Sequence, residues 1–178
     1  MLFSHSRRSA RRTESGEFVP FDQQDQRLWD FASIDQAEDF LREAFELGRI
    51  GRYQLEAAIQ SAHSHRARAG DTDWAAIIGL YNELLRMSPS IGATVARAAA
   101  IGRMAGADEG LKALEAIDPA SVTAYQPYWA IKGHLLKQLG RHHAEMQLAF
   151  QIAAGLSIDP SVRTFLLGQI EQHEGPKS

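Results

Sequence analysis

His63 and His65 are the first residues to ask for chemistry, because a neutral imidazole is the commonest metal ligand and a general base near neutral pH. Both fall in a helical stretch, where side chains two positions apart point about 200° away from each other. They cannot grip one ion as a pair one turn apart would. His142 and His143 follow the turn residue Gly140 and suit a helix start better than a ligand set. Ser61 and Ser64 flank His63. That supplies a hydroxyl and an imidazole, but neither the strained elbow nor the orienting acid that nucleophilic catalysis requires. Ile78-Gly79-Leu80 is no phosphate loop, and the stretch from Gly102 to Gly110 lacks the strand-turn-helix setting and lysine of a phosphate cradle. No catalytic, cofactor-binding or metal-binding residue is assigned, and the chain reads as non-enzymatic.

Binding chemistry has better candidates. Tyr53 and Gln54 open a helix just after Gly48 and Gly51. There Tyr53 either faces a groove or plugs the core. Tyr125 and Trp129 share a face at one-turn spacing, with Tyr128 beside them and the same ambiguity. Aromatic side chains left exposed in a concave helical surface would mark a peptide site. Arg7, Arg8, Arg11 and Arg12 form the one basic cluster; four such charges could contact phosphates, but a run of them on a chain end reads first as a solvated face.

The elements that must carry these residues are helices. Of 178 residues, 44% are hydrophobic and 23% charged, which suits a soluble globular domain with a sizeable core. A formal charge of -3 gives no whole-molecule attraction to nucleic acid or an anionic membrane. The absence of cysteine removes disulfides, thiol nucleophiles and thiolate metal sites, and fits a reducing cytoplasm. No stretch approaches the ~20 apolar residues that cross a bilayer, and the polar, arginine-bearing start is not a secretory signal.

Residues 1–32 read as a basic, extended lead-in, with the run Phe18 to Phe21 kept from being helical by Pro20. From Ser33 the apolar period is clean. Ser33 and Gln36 predict a capping-box start, Ala37, Phe40, Leu41, Ala44 and Phe45 form the stripe, and Gly48 and Gly51 end it. A second helix over 52–69 is stopped by Gly70, and a third carries Trp74, Ile77, Ile78, Tyr81, Leu84 and Leu85 to Pro89. A fourth over 91–105 is rich in small residues that let helix axes approach. A short helix closed by Asp118 and Pro119 follows, then one started by Pro127, a return helix after Gly140, and a last one from Pro160. This predicts an all-α domain of about eight helices over 33–172, with a frayed tail over 173–178. Trp74 to Pro89 matches half of a tetratricopeptide unit and Tyr125 to Pro160 a whole one, predicting a right-handed tetratricopeptide-like array.

The runs Leu28-Trp29-Asp30, Gly51 to Ile59 and Asp71 to Trp74, with Leu80-Tyr81, Pro89-Ser90, Arg97-Ala98, Gly110-Leu111 and Tyr125 to Arg141, carry a more specific likeness. Together they resemble the C-terminal half of bacterial extracytoplasmic-function RNA polymerase sigma factors that have a tetratricopeptide-like extension. The resemblance spans about Leu2 to Ile170. It departs at Ala96, where the pattern favours asparagine, at Ala105-Gly106-Ala107, where it favours Asp-Gly-Pro, and at Gln126 and Trp129, where it favours histidines.

What the resemblance implies is a cytoplasmic, non-catalytic regulatory domain without a cofactor, whose protein partner is the sigma regions of its parent protein or RNA polymerase. The residues placed for that contact are Tyr53, Gln54, Arg97, Tyr125 and Trp129. The promoter-reading regions would lie upstream of the counterpart of Met1, so this chain is not expected to bind DNA directly. Alternatives are a free-standing adaptor of the same fold, and a small-molecule sensor with its site between helices.

Overall fold

The computed structural model describes residues 1–140 and 142–171. The tail expected over 173–178 lies outside the described residues. Among the described residues the chain is all-α, with ten α-helices against the eight or so expected. They are α1 (Leu2–His5), α2 (Phe31–Glu46), α3 (Arg52–Ala69), α4 (Trp74–Met87), α5 (Ile91–Ala105), α6 (Ala107–Glu115), α7 (Pro119–Val122), α8 (Gln126–Leu139), α9 (His143–Leu156) and α10 (Pro160–Glu171). The surplus lies in the four-residue α1 and α7. Three short 3-10 turns at Arg8–Ala10, Phe21–Gln23 and Gln26–Leu28 complete the regular structure.

Local chemistry sets the boundaries. The Asp30 side chain accepts the Ser33 backbone N–H at 3.0 Å, so α2 starts at Phe31, earlier than the Ser33–Gln36 capping box would place it. An ionised carboxylate outcompetes a hydroxyl for the helix's orphan donors. Gly48, at φ +67°, closes that helix, while Gly51 is extended and opens α3. Asp73 and Ser90 cap α4 and α5 through the backbone N–H groups of Ala76 and Ala93. Asp118, read as a stop for α6, accepts from Ala120 and starts α7 instead.

The chain divides into two compact units, Met1–Pro89 and Ser90–Ser178. In the first, α1 packs on α2 and α3, α2 on α3, and α3 on α4. The expected lead-in is not loose chain here. Phe3, Ala10 and Trp29 are buried in one cluster with Ile34 and Ala37 of α2.

In the second unit α5 packs on α6, α6 on α8, α8 on α9 and α9 on α10. One cluster joins Val95, Ala98, Leu114, Ile117, Val122, Tyr128 and Leu135, and another joins Leu136, Met146, Phe150, Ala153, Ala154 and Leu166. The small-residue helix α5 earns its composition at one crossing. A Cβ built on Gly110 would stand 2.6 Å from the Gly102 Cα, and one on Gly102 would meet Leu135 at 2.8 Å. Lys132 of α8 bridges Glu115 and Glu145 at 3.3 and 2.6 Å, which ties three helices at one partly buried point.

A methyl group at Gly110 meets backbone, which cannot rotate aside. Gly110→Ala is therefore expected to cost about 1–3 kcal/mol through overpacking. Gly79→Ala, in an exposed helical position with nothing within 4 Å of the added Cβ, is expected to gain about 0.5–1 kcal/mol. Thermal unfolding followed by far-UV circular dichroism ranks the two, and a Gly110→Ala protein as stable as wild type would dismiss the close crossing.

Candidate functional site

Two hollows of the first unit gather the residues of interest. The first is an apolar groove of about 230 Å³ lined from α1, α2 and α3, among them by Phe3, Ala37, Phe40, Leu41, Tyr53 and Gln54. Phe40 and Tyr53 on its walls are 55% and 79% exposed. In the turn joining α2 to α3, Leu47 and Ile50 are 78% and 56% exposed.

Tyr53 is therefore not a core plug. Phe40 and Phe45, assigned to the buried stripe of α2, also stand largely outside it, while Ile34 and Ala37 carry the burial. The stripe is wider than the face that α1 and α3 cover.

Gln54 has a fixed task. Its Oε1 accepts the Gly51 backbone N–H at 2.6 Å and its Nε2 donates to the Ala44 carbonyl at 2.7 Å. It closes the α3 N-terminus and staples it to the end of α2, so that Tyr53 is held at the rim.

The other residues placed for a contact belong to the second unit. Tyr125 and Trp129 are half-buried against the cluster around Val95 and Leu114. The Trp129 indole donates to the Thr123 carbonyl at 3.1 Å and meets the Tyr128 ring edge-on at 5.2 Å. Both rings thus have packing roles. Arg97 is half-buried on α5.

The second hollow, of about 350 Å³, is lined by Arg7, Arg11, Phe18, Phe21, Gln24, Gln60 and His63. Of the four arginines read as a solvated face, Arg8, Arg11 and Arg12 are exposed, but Arg7 is only 9% exposed. Its Nε donates to the Phe3 carbonyl at 3.3 Å and its Nη2 to the Gln60 side chain at 2.6 Å. The guanidinium groups of Arg7 and Arg66 lie 4.6 and 4.4 Å from the Phe21 ring centre, and Phe21 stacks on Trp29 at 5.9 Å. Burial, then the charges of Arg11 and Arg66, lower the Arg7 pKa to about 10. Sequence reasoning missed this hub because its partners lie far along the chain. The only local signal was an arginine run followed by Phe18 and Phe21.

His63 sits edge-on between Phe21 and Trp74, at 5.4 and 5.7 Å. Burial, reinforced by the charges of Arg7 and Arg66, lowers its pKa to about 4. A neutral imidazole of that basicity is a weak proton acceptor near pH 7. Its neighbouring hydroxyls are committed elsewhere. Ser61 donates to Glu38 at 2.6 Å and Ser64 to the Gln60 carbonyl at 2.9 Å. A broader cleft between α2 and α3 is lined by charges already engaged with one another, Arg68 with Asp35 and Arg42 with Asp39. Among the described residues no three His, Asp or Glu side chains converge as a metal site would need, and no helix is long and apolar enough to cross a membrane.

Comparison with known proteins adds little chemistry to this all-helical architecture. Residues 1–45 match the model of a family of unknown function, DUF6596. An uncharacterised protein of Rhizobium meliloti (strain 1021) is 34% identical over 171 residues, which is 96% of this chain and 40% of that protein. The chain therefore spans less than half the length of this relative. No solved structure matches.

The fold holds His63 neutral, whereas the unfolded chain binds its proton near pH 6.5. Between pH 6.5 and about 4 the unfolded state thus binds more protons. This contribution is intact above pH 6.5 and is lost as the pH falls through the window, at up to roughly 1.4 kcal/mol per pH unit. Melting curves across that range should show wild type losing stability faster than His63→Leu on acidification. Parallel curves for the two proteins would show that the imidazole is not held neutral.

Proposed function

We propose that this chain is a non-catalytic protein-contact module of a sigma-factor-like protein, built as a tetratricopeptide-like right-handed array and working in the cytoplasm. The observation that carries the reading is the apolar groove of the first unit. Four large side chains, Phe40, Leu47, Ile50 and Tyr53, stand more than half exposed on it or in the turn joining its walls. Covering an exposed side chain of this size is worth ~1.5–3 kcal/mol, so a few such anchors suffice for a specific contact.

The pairwise packing from α5 through α10 supports the repeat-like arrangement, since each helix of such an array leans mainly on its neighbours. The resemblance running from Leu28 through Arg141 supports the link to sigma factors. The groove's occupant is then an amphipathic helix face of the sigma regions, laid in by its apolar residues. Because the chain spans 40% of its Rhizobium relative, the activity and partners of the whole protein are part of the same proposal.

Affinity capture from a bacterial lysate, using the purified chain as bait and mass spectrometry as readout, tests this. Wild type is expected to recover sigma regions or RNA polymerase subunits. Leu47→Asp and Tyr53→Asp, at sites 78% and 79% exposed, are expected to lose them with helicity unchanged. Equal recovery by the variants would remove the groove from the mechanism. Recovery of unrelated proteins alone would leave an adaptor without a role in transcription.

A further inference from the structure

We infer that the arginine hollow of the first unit is a binding site for a small oxyanion, a phosphate group or an organic carboxylate. Four observations meet there. The hollow, at about 350 Å³, has the size of a small-metabolite site. Its lining includes Arg7, a residue more than nine-tenths buried, whose bonded acceptors, the Phe3 carbonyl and the Gln60 amide oxygen, are both uncharged. A buried charge ordinarily has a counter-charge. The ionic groups acting on Arg7 are instead two further arginines, Arg11 and Arg66, and both push its proton off. Two other polar atoms of the lining, Gln24 Oε1 and His63 Nδ1, are buried without a hydrogen-bond partner.

An oxyanion answers all of these together. Arg7 spends two N–H groups on protein and Arg11 one, on the Ser4 carbonyl at 2.8 Å. Each guanidinium has five donors in a planar fork. Donors therefore remain for the forked contact that phosphate and carboxylate take from arginine. A protonated phosphate oxygen or a hydroxy group on the acid would satisfy Gln24 Oε1, and His63 Nδ1 can donate or accept according to its tautomer. Phe18 and Phe21 also line the hollow, which suits a small organic anion. The site shares no lining side chain with the apolar groove, so it stands or falls independently of the docking reading.

Isothermal titration of the full chain with inorganic phosphate and, separately, with citrate, in chloride of matched ionic strength, tests the inference. Arg11→Gln is the discriminating variant. Arg11 is exposed and its side chain makes one hydrogen bond to the chain, so its replacement leaves the fold intact. Wild type is expected to bind one or both anions with a dissociation constant below about 1 mM, and Arg11→Gln at least ~10-fold more weakly. A response to phosphate alone identifies a phosphate-bearing ligand, and one to citrate alone a carboxylate. No heat beyond the chloride control, or affinities unchanged in Arg11→Gln, would overturn the assignment.

Discussion

The first unit depends on how Arg7 is buried. A guanidinium withdrawn from water without a carboxylate carries a desolvation cost of several kcal/mol. Here the offset is assembled from a carbonyl, an amide oxygen and the faces of Phe21 and Trp29. Those partners come from three parts of the chain. Phe3 belongs to α1, Gln60 to α3, and Phe21 and Trp29 to the connecting stretch. Satisfying one cation therefore helps fix the path of a stretch whose regular structure is limited to α1 and three short 3-10 turns. Arg66 reinforces the arrangement from α3, donating to the Phe21 carbonyl at 2.7 Å while its guanidinium lies over the same ring.

The second unit solves a different problem with apolar packing. Its helices meet at glycines, Gly102 against Gly110 and Gly133 against the Phe150 ring, where an added Cβ would come within 3 Å of a neighbour. Close approach lets the flanking side chains of α5, α6, α8 and α9 interdigitate, and Leu114, Leu136, Met146 and Phe150 are almost wholly buried as a result. Shape more than charge specifies this unit, with Lys132 between two glutamates as a partly buried ionic tie. That difference explains why chemistry-bearing side chains gather in Met1–Pro89.

Legibility in the sequence followed the range of the interactions. Helices α3 and α5 match the residues expected for them, because Gly70, Pro89 and the apolar period are local signals. The cap of α2 was placed three residues late because Asp30, not Ser33, provides it, and the pattern Ser-x-x-Gln looks past it. The compact lead-in was not legible at all. Arg7 and Gln60 are 53 positions apart, and nothing in a run of arginines says which aromatic will receive them. Of the contact residues, Tyr53 was readable as either groove or core, and its exposure decides for the rim. Gln54, Tyr125 and Trp129 carry hydrogen bonds or packing that spacing alone could not assign.

Phe3 shows how closely the two hollows are built together. Its side chain is buried and lines the apolar groove, while its carbonyl accepts from Ser6 at 2.9 Å and from Arg7 at 3.3 Å. One residue of a four-residue helix thus borders the groove with its ring and anchors the arginine hub with its backbone. Replacing Phe3 or Arg7 would disturb packing, the groove wall and the cationic hollow together, and a loss of binding there would assign nothing. The rim residues are different in kind. Leu47, Tyr53 and Arg11 are exposed, and Tyr53 lines the groove while Arg11 lines the cationic hollow, so the functions of the two surfaces separate at their rims and merge at Phe3.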